Sequence, residues 1–184
     1  MLHAFPGCRG LVNGFLRVFG IAGFKNSGKT TLIVALLRIL TGRGFKVATI
    51  KHAHHRFDID HPGKDSYRHR DAGAEEVIVS SQKRWAHIRE LGDQVEPPLD
   101  EFLGRIGPVD LVLIEGFKHS AHLKLEVRGS DSKEPMLAES DKNVCAIVSD
   151  APLTNSSVPV LDRTDVDGIA DFILQQLGLD SELG

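Results

Sequence analysis

Residues Gly23-Phe24-Lys25-Asn26-Ser27-Gly28-Lys29-Thr30 spell a Walker A loop, the feature that most constrains what this chain can fold into. An apolar run over 16–22, broken by Arg17 and Gly20, leads into it, and an apolar stretch over 32–40 leads out. That is the strand, glycine-rich turn and helix in which the pattern has physical meaning. Backbone N–H groups of such a loop wrap a phosphate, and the positive end of the following helix points at it. Lys29 is placed to reach the β- and γ-phosphates, and the Thr30 hydroxyl to ligate Mg²⁺. With Gly23, Asn26, Ser27, Gly28 and Thr31 they form the expected nucleoside triphosphate site.

Composition narrows the class. A length of 184 residues suffices for one domain with a real core. The net charge of -3 supplies no general electrostatic case for nucleic acid, so none is expected as a partner. Cys8 and Cys145 are the only cysteines and show no CxxC spacing, which fits a reducing compartment and argues against a disulfide framework. No stretch approaches a membrane span, and the first 14 residues lack the continuous apolar core of a secretory signal. A cytoplasmic protein is expected, with residues 1–14 as a disordered extension and 15–180 as one nucleotide-binding domain.

Beyond the P-loop helix, Gly42 and Gly44 mark its end and 45–50 reads as a strand. A polar segment dense in His and Asp follows, then a short helix over 65–72. Two strands, 76–80 and 84–91, suggest an antiparallel hairpin. A helix is expected over 99–106 and a buried strand over 109–114, where Leu111-Val112-Leu113-Ile114 has no polar alternation. Further strands are expected at 123–127, 144–148 and 158–161, with an amphipathic helix over 165–177. This order predicts an α/β, P-loop NTPase-like layered domain with a mostly parallel central sheet and an inserted antiparallel hairpin. Ligands of such sheets sit at the carboxyl ends of the strands.

Glu115 ends the most buried of these strands and is the expected Walker B-like carboxylate, holding Mg²⁺ directly or through water. Asp110 starts the same strand at the wrong end and reads as a turn or capping residue. The segment after the second strand carries His52, His54 and His55 with Asp58 and Asp60. Asp58 or Asp60 suits Mg²⁺ or the attacking water, and the histidines suit either phosphate contacts or zinc or nickel. Lys64, Ser66, Arg68 and Arg70 surround a helix start after Pro62-Gly63 and read as an anion site or as a solvated basic face. Asp150 follows the strand over 144–148, where a carboxylate can read guanine or merely serve a turn before Pro152.

Taken together, four stretches resemble the MobB family, the molybdopterin-guanine dinucleotide biosynthesis protein B. They are Gly23 to Leu32, Thr49-Ile50-Lys51-His52, Phe57-Asp58 with Pro62-Gly63-Lys64-Asp65-Ser66, and Asp110 to Lys118. The P-loop is generic; Pro62-Gly63-Lys64-Asp65-Ser66 and Ile114-Glu115-Gly116-Phe117-Lys118, in this order and spacing, are far more specific. The resemblance implies a homodimeric, GTP-binding protein with weak GTPase activity, acting beside a MobA-type guanylyltransferase in molybdenum cofactor biosynthesis. A molybdoenzyme or its chaperone is a further implied partner, and molybdopterin a further implied ligand. Lys29, Thr30 and Glu115 would form the Mg²⁺–nucleotide site, with Thr30 and Glu115 on the metal. Asp58, Lys64 and Arg68 would bind phosphates or a cofactor anion, with Lys29, Asp58 and Glu115 as the catalytic set. Phe24 stands where related dimeric P-loop ATPases carry a trans-acting lysine, and no Asn-Lys-x-Asp stretch is present for guanine.

Three other readings compete. A metallochaperone GTPase would use His52, His54 and His55. A small-molecule kinase would need a lid from Arg68, Arg70, Arg84 and Arg89. A scaffold would use nucleotide only to stabilise a partner surface.

Overall fold

The computed structural model describes residues 11–12, 16–53, 57–153 and 155–180, the first pair by backbone only. The chain divides into two compact units, one built from 1–52 and 99–184, the other from 53–98.

In the first unit the strands are β1 (Leu11–Val12), β2 (Leu16–Ala22), β3 (Val47–Lys51), β6 (Leu111–Glu115), β7 (Lys124–Arg128), β8 (Val144–Ser149) and β9 (Val160–Asp162). Among the described residues, six lie side by side in the order β3-β6-β2-β7-β8-β9, every pair parallel, and β1 adds to β2 antiparallel. Helices α1 (Lys29–Gly42) and α4 (Val166–Leu177) cover one face, packing on Phe19, Ile21, Leu111, Leu113 and Leu125. The other face packs Val18, Val112 and Ile114 against Leu99 and Leu103 of α3 (Leu99–Leu103). Burial on both faces explains why β6 reads as an unbroken apolar run. Each fully buried leucine or isoleucine here stabilises the fold by about 1.5–3 kcal/mol.

Local chemistry sets the helix ends. Leu32, Ile33, Leu36 and Leu40 form the buried stripe of α1, and Gly44, at a φ of 90°, reverses the chain after it. Phe45, expected in the next strand, instead buries itself at the foot of α1 and donates its N–H to Leu40 O. Asp165 caps α4 by accepting from Gly168 N at 2.9 Å, and Gly178 closes it in the left-handed region. The helix expected over 99–106 stops at Leu103 because Arg105 and Ile106 bond three residues back, in tighter turns around Gly104 and Gly107. A 3₁₀ turn, Leu137–Glu139, lies within the polar stretch before β8. Among the described residues no helix is long and apolar enough to cross a membrane.

Strands β6 and β7 flank β2 on opposite sides, so the residues joining them must cross one sheet face. They cross over Gly20, where an added Cβ would lie 2.4 Å from His122 Nε2. Only glycine lets the crossing sit this close. The buried Lys124 secures the link by donating to Lys118 O, Ser120 O and Asp141 Oδ2 at 3.2, 2.7 and 2.6 Å.

The second unit contains α2 (Asp65–Asp71) and the hairpin β4 (Glu76–Ser80) with β5 (Trp85–Arg89), paired antiparallel from Glu76↔Arg89 to Ser80↔Trp85. Ser81 closes the hairpin turn by bonding Arg84. Arg70 joins its parts: Nε donates to Asp60 Oδ2 at 3.1 Å, while the other nitrogens meet Asp58 and Glu90. Burial would raise the Asp60 pKa, but hydrogen bonds from Ser66 and Arg70 outweigh it and hold the carboxyl below its ordinary value.

Candidate functional site

The carboxyl ends of the six parallel strands meet at one edge of the first unit, and the expected P-loop residues line it. Gly23, Asn26 and Gly28 adopt φ angles of 140°, 62° and 93°. A Cβ on Gly23 would meet Val127 O at 2.4 Å, so the loop cannot be built without glycine there. Gly28 enters α1 with no side-chain cap, and no acidic residue occupies the first turn. The leading N–H groups of Lys29, Thr30 and Thr31 therefore suit an anion, with no cap or carboxylate of the first turn competing for them. The Ser27 hydroxyl is buried without a hydrogen-bond partner, the condition a phosphate oxygen would relieve.

Lys29 bends back and donates to Phe24 O at 2.6 Å. Its pKa is held below the ordinary lysine value: burial contributes most, Glu115 opposes it, and the charges of Lys51 and Lys118 lower it further. Glu115, its side chain 12% exposed, accepts from the Thr30 hydroxyl at 2.7 Å. Lys51 Nζ lies 3.1 Å from Glu115 Oε1 and 3.3 Å from Thr30 Oγ1. Two hard oxygens thus converge on a position that already attracts an ammonium, and that donor set suits Mg²⁺. With its hydrogen given to Glu115, the Thr30 oxygen keeps lone pairs for a metal.

Two lysines joined this site without being expected there. Lys51 ends β3 and is the register partner of Glu115, a pairing that only the β3–β6 ladder reveals. The Lys118 ammonium stands 5.2 Å over the Phe24 ring. The Phe24 ring thus carries a lysine on its face.

Asp150, expected to read the base, sits just past β8 and pairs with Arg163 Nε at 2.7 Å. Arg163 follows β9, donates through Nη2 to Arg128 O at 2.7 Å, and places Nη1 2.7 Å from where a Gly28 Cβ would be. One guanidinium thus touches the ends of β7 and β8 and the P-loop. Nothing in the sequence around Arg163 marks it. Asp110 is the turn residue expected, accepting from Lys46 N at 2.6 Å.

Asp58, Lys64 and Arg68 belong to the second unit. Asp58 accepts from Asp60 N at 2.9 Å and faces Arg70. Lys64 precedes the first residue of α2, and Arg68 lies 3.7 Å from Asp65. Ser66 and Arg70, grouped with them by sequence, are committed to Asp60 instead. His52 packs its ring 4.7 Å from Phe117, whereas His54 and His55 lie outside the described residues. Among the described residues no three His, Cys, Asp or Glu side chains gather as a metal site.

The parallel sheet, the loop after its central strand and the carboxylate ending its neighbour define a P-loop NTPase-like nucleotide binder. The family model for molybdopterin guanine dinucleotide synthesis protein B matches residues 18–150, and the chain belongs to that family. It is 42% identical over 161 residues to the molybdopterin-guanine dinucleotide biosynthesis adapter protein of Escherichia coli (strain K12), covering 86% of this chain and 91% of that one. The adapter protein of the same name from Haemophilus influenzae is 37% identical over 164 residues, covering 88% and 90%. The crystal structure of a molybdopterin-guanine biosynthesis protein B superposes with a TM-score of 0.66 at 29% identity, covering 88% of this chain and 99% of that one.

Proposed function

We propose that this chain is a GTP-binding accessory protein of molybdenum cofactor biosynthesis, a slow GTPase that assists a MobA-type guanylyltransferase in forming molybdopterin guanine dinucleotide. The observation that carries the reading is the 2.7 Å bond between Thr30 and Glu115 beside an uncapped P-loop. The names of the E. coli and H. influenzae relatives supply the pathway and the adapter role. Gly23, Asn26, Ser27, Gly28 and Thr31 hold the phosphates, and Lys29 leaves Phe24 O to reach them. Thr30 and Glu115 hold Mg²⁺, whose charge offsets that building on the phosphates during hydrolysis. Asp150 reads the base. The phosphate or cofactor-anion roles of Asp58, Lys64 and Arg68 rest on their sequence pattern, as does a molybdopterin site.

Slow turnover follows from the surroundings of Glu115. A carboxylate that accepts from the Thr30 hydroxyl and is placed to hold Mg²⁺ is not free to take a proton from water. The protein works in the cytoplasm as a homodimer, with a molybdoenzyme or its chaperone as a further partner. Isothermal titration with GTP and ATP tests the nucleotide reading: GTP binds more tightly, and Lys29→Ala loses both. No GTP binding by the wild type, or a clear ATP preference, removes it. A pull-down of the guanylyltransferase with and without GTP tests the accessory role.

A further inference from the structure

Lys51 occupies the position that a metal ion would take. Its ammonium lies 3.3 Å from Thr30 Oγ1 and 3.1 Å from Glu115 Oε1, while the side chain remains 57% exposed. The Walker A pattern places the Thr30 hydroxyl beside the β- and γ-phosphates. A metal held by Thr30 and Glu115 would therefore displace this ammonium, and a terminal phosphate beside that metal would offer it a replacement anion.

We propose that Lys51 distinguishes tri- from diphosphate, resting on Glu115 when the site is empty and, once a metal displaces it, pairing with a γ-phosphate where one is present. This rests on the nucleotide-binding reading above. Three features support it. The backbone around Lys51 is fixed, since β3 is in register with β6 through Lys51↔Glu115 and His52 N donates to Glu115 O at 2.9 Å. The long exposed stem is free to swing while its Cα stays in place. Glu115 is already shared between Lys51 and Thr30, so releasing Lys51 leaves the carboxylate a hydroxyl and a metal rather than stranding it. Lys29 does not do this work, because it serves every phosphate-bearing nucleotide alike. Lys51 is also the last strand residue before the second unit begins at Ala53, so the position of its side chain marks the nucleotide state where the chain leaves the sheet.

The test measures affinities of a non-hydrolysable GTP analogue and of GDP, both with Mg²⁺, for wild type, Lys51→Met, Lys51→Arg and Lys29→Ala. The expected result is that Lys51→Met weakens the triphosphate analogue about tenfold and leaves GDP unchanged, the size of one charge-assisted contact. Lys51→Arg recovers part of the loss, and Lys29→Ala weakens both ligands. Equal losses for both nucleotides, no loss for either, or a wild type that does not separate the two overturns the role of Lys51 while leaving nucleotide binding intact. A wild type that binds neither nucleotide instead overturns the nucleotide-binding reading itself. Unchanged thermal midpoints show that each variant is folded.

Discussion

Glu115 accepts the hydroxyl hydrogen of Thr30 at 2.7 Å, joining residues 85 apart in the chain. The bond exists because β6 lies directly beside β2, whose end launches the P-loop. Glu115→Ala is expected to cut Mg²⁺-dependent GTP affinity about tenfold, the size of one charge-assisted contact, while affinity in EDTA stays near the wild-type value. Titration of a fluorescent GTP analogue with and without Mg²⁺ checks this. Equal losses in both conditions would mean that Glu115 shapes the loop rather than the metal site.

Gly28 faces two penalties at once. Its φ of 93° strains any L side chain by about 1–2 kcal/mol, and its Cβ would lie 2.7 Å from Arg163 Nη1. Gly28→Ala should lower stability and weaken nucleotide binding, and adding Arg163→Ala should recover only the steric share. Urea unfolding of the two single variants and the double variant separates the terms; full recovery in the double variant would dismiss the backbone contribution.

Asp150 lies 2.7 Å from Arg163 Nε as an ion pair. If it accepts from guanine, Asp150→Ala narrows the GTP-to-ATP affinity ratio about tenfold, the worth of a charged hydrogen bond. An unchanged ratio would leave Asp150 as a partner for Arg163 and nothing more.

Lys124 is buried with its charge resting on Asp141 at 2.6 Å and on two carbonyls. Removing one partner of a buried pair leaves the other unpaired, so Lys124→Met should cost about 3 kcal/mol. Denaturant titration reads this directly. A loss under 1 kcal/mol would show that water replaces the ammonium.

His122 carries a pH signature. Burial above all, and then the Lys124 charge, lower its pKa to about 4 from a usual 6.5. Above pH 6.5 the ring is neutral whether the chain is folded or not, and it adds no slope. Below 6.5 the unfolded chain takes up a proton that the folded chain refuses, so stability falls until about pH 4. The full loss is about 3 kcal/mol, from about 1.4 per pH unit. His122→Asn should be less sensitive to acid between those two pH values. Parallel wild-type and variant curves there would contradict the assignment.

The sequence made much of this protein legible. The P-loop and its flanking apolar runs, the glycine stops, the hairpin and the unbroken Leu111–Ile114 run are local signals, and local energetics decide them. Two boundary differences fall where the surroundings outweighed propensity: Phe45 left its strand to fill the foot of α1, and α3 unwound early around Gly104 and Gly107. Glu115 was legible as the carboxylate that ends a buried strand, and the structure sets it beside Thr30.

Other residues at the site were given no role there from the sequence. Lys51 meets Glu115 through a parallel ladder across more than sixty intervening positions. Lys118 reaches Phe24, and Arg163 reaches Gly28, because separate strands end at one edge of the sheet. Lys124, in a stretch expected to be an ordinary strand, became a buried clamp. The sequence by itself determined the phosphate loop, the α/β order and the principal carboxylate, since each is written in residues adjacent along the chain. Tertiary structure alone decided which cations surround that carboxylate, because a parallel sheet makes neighbours of residues that are far apart in sequence.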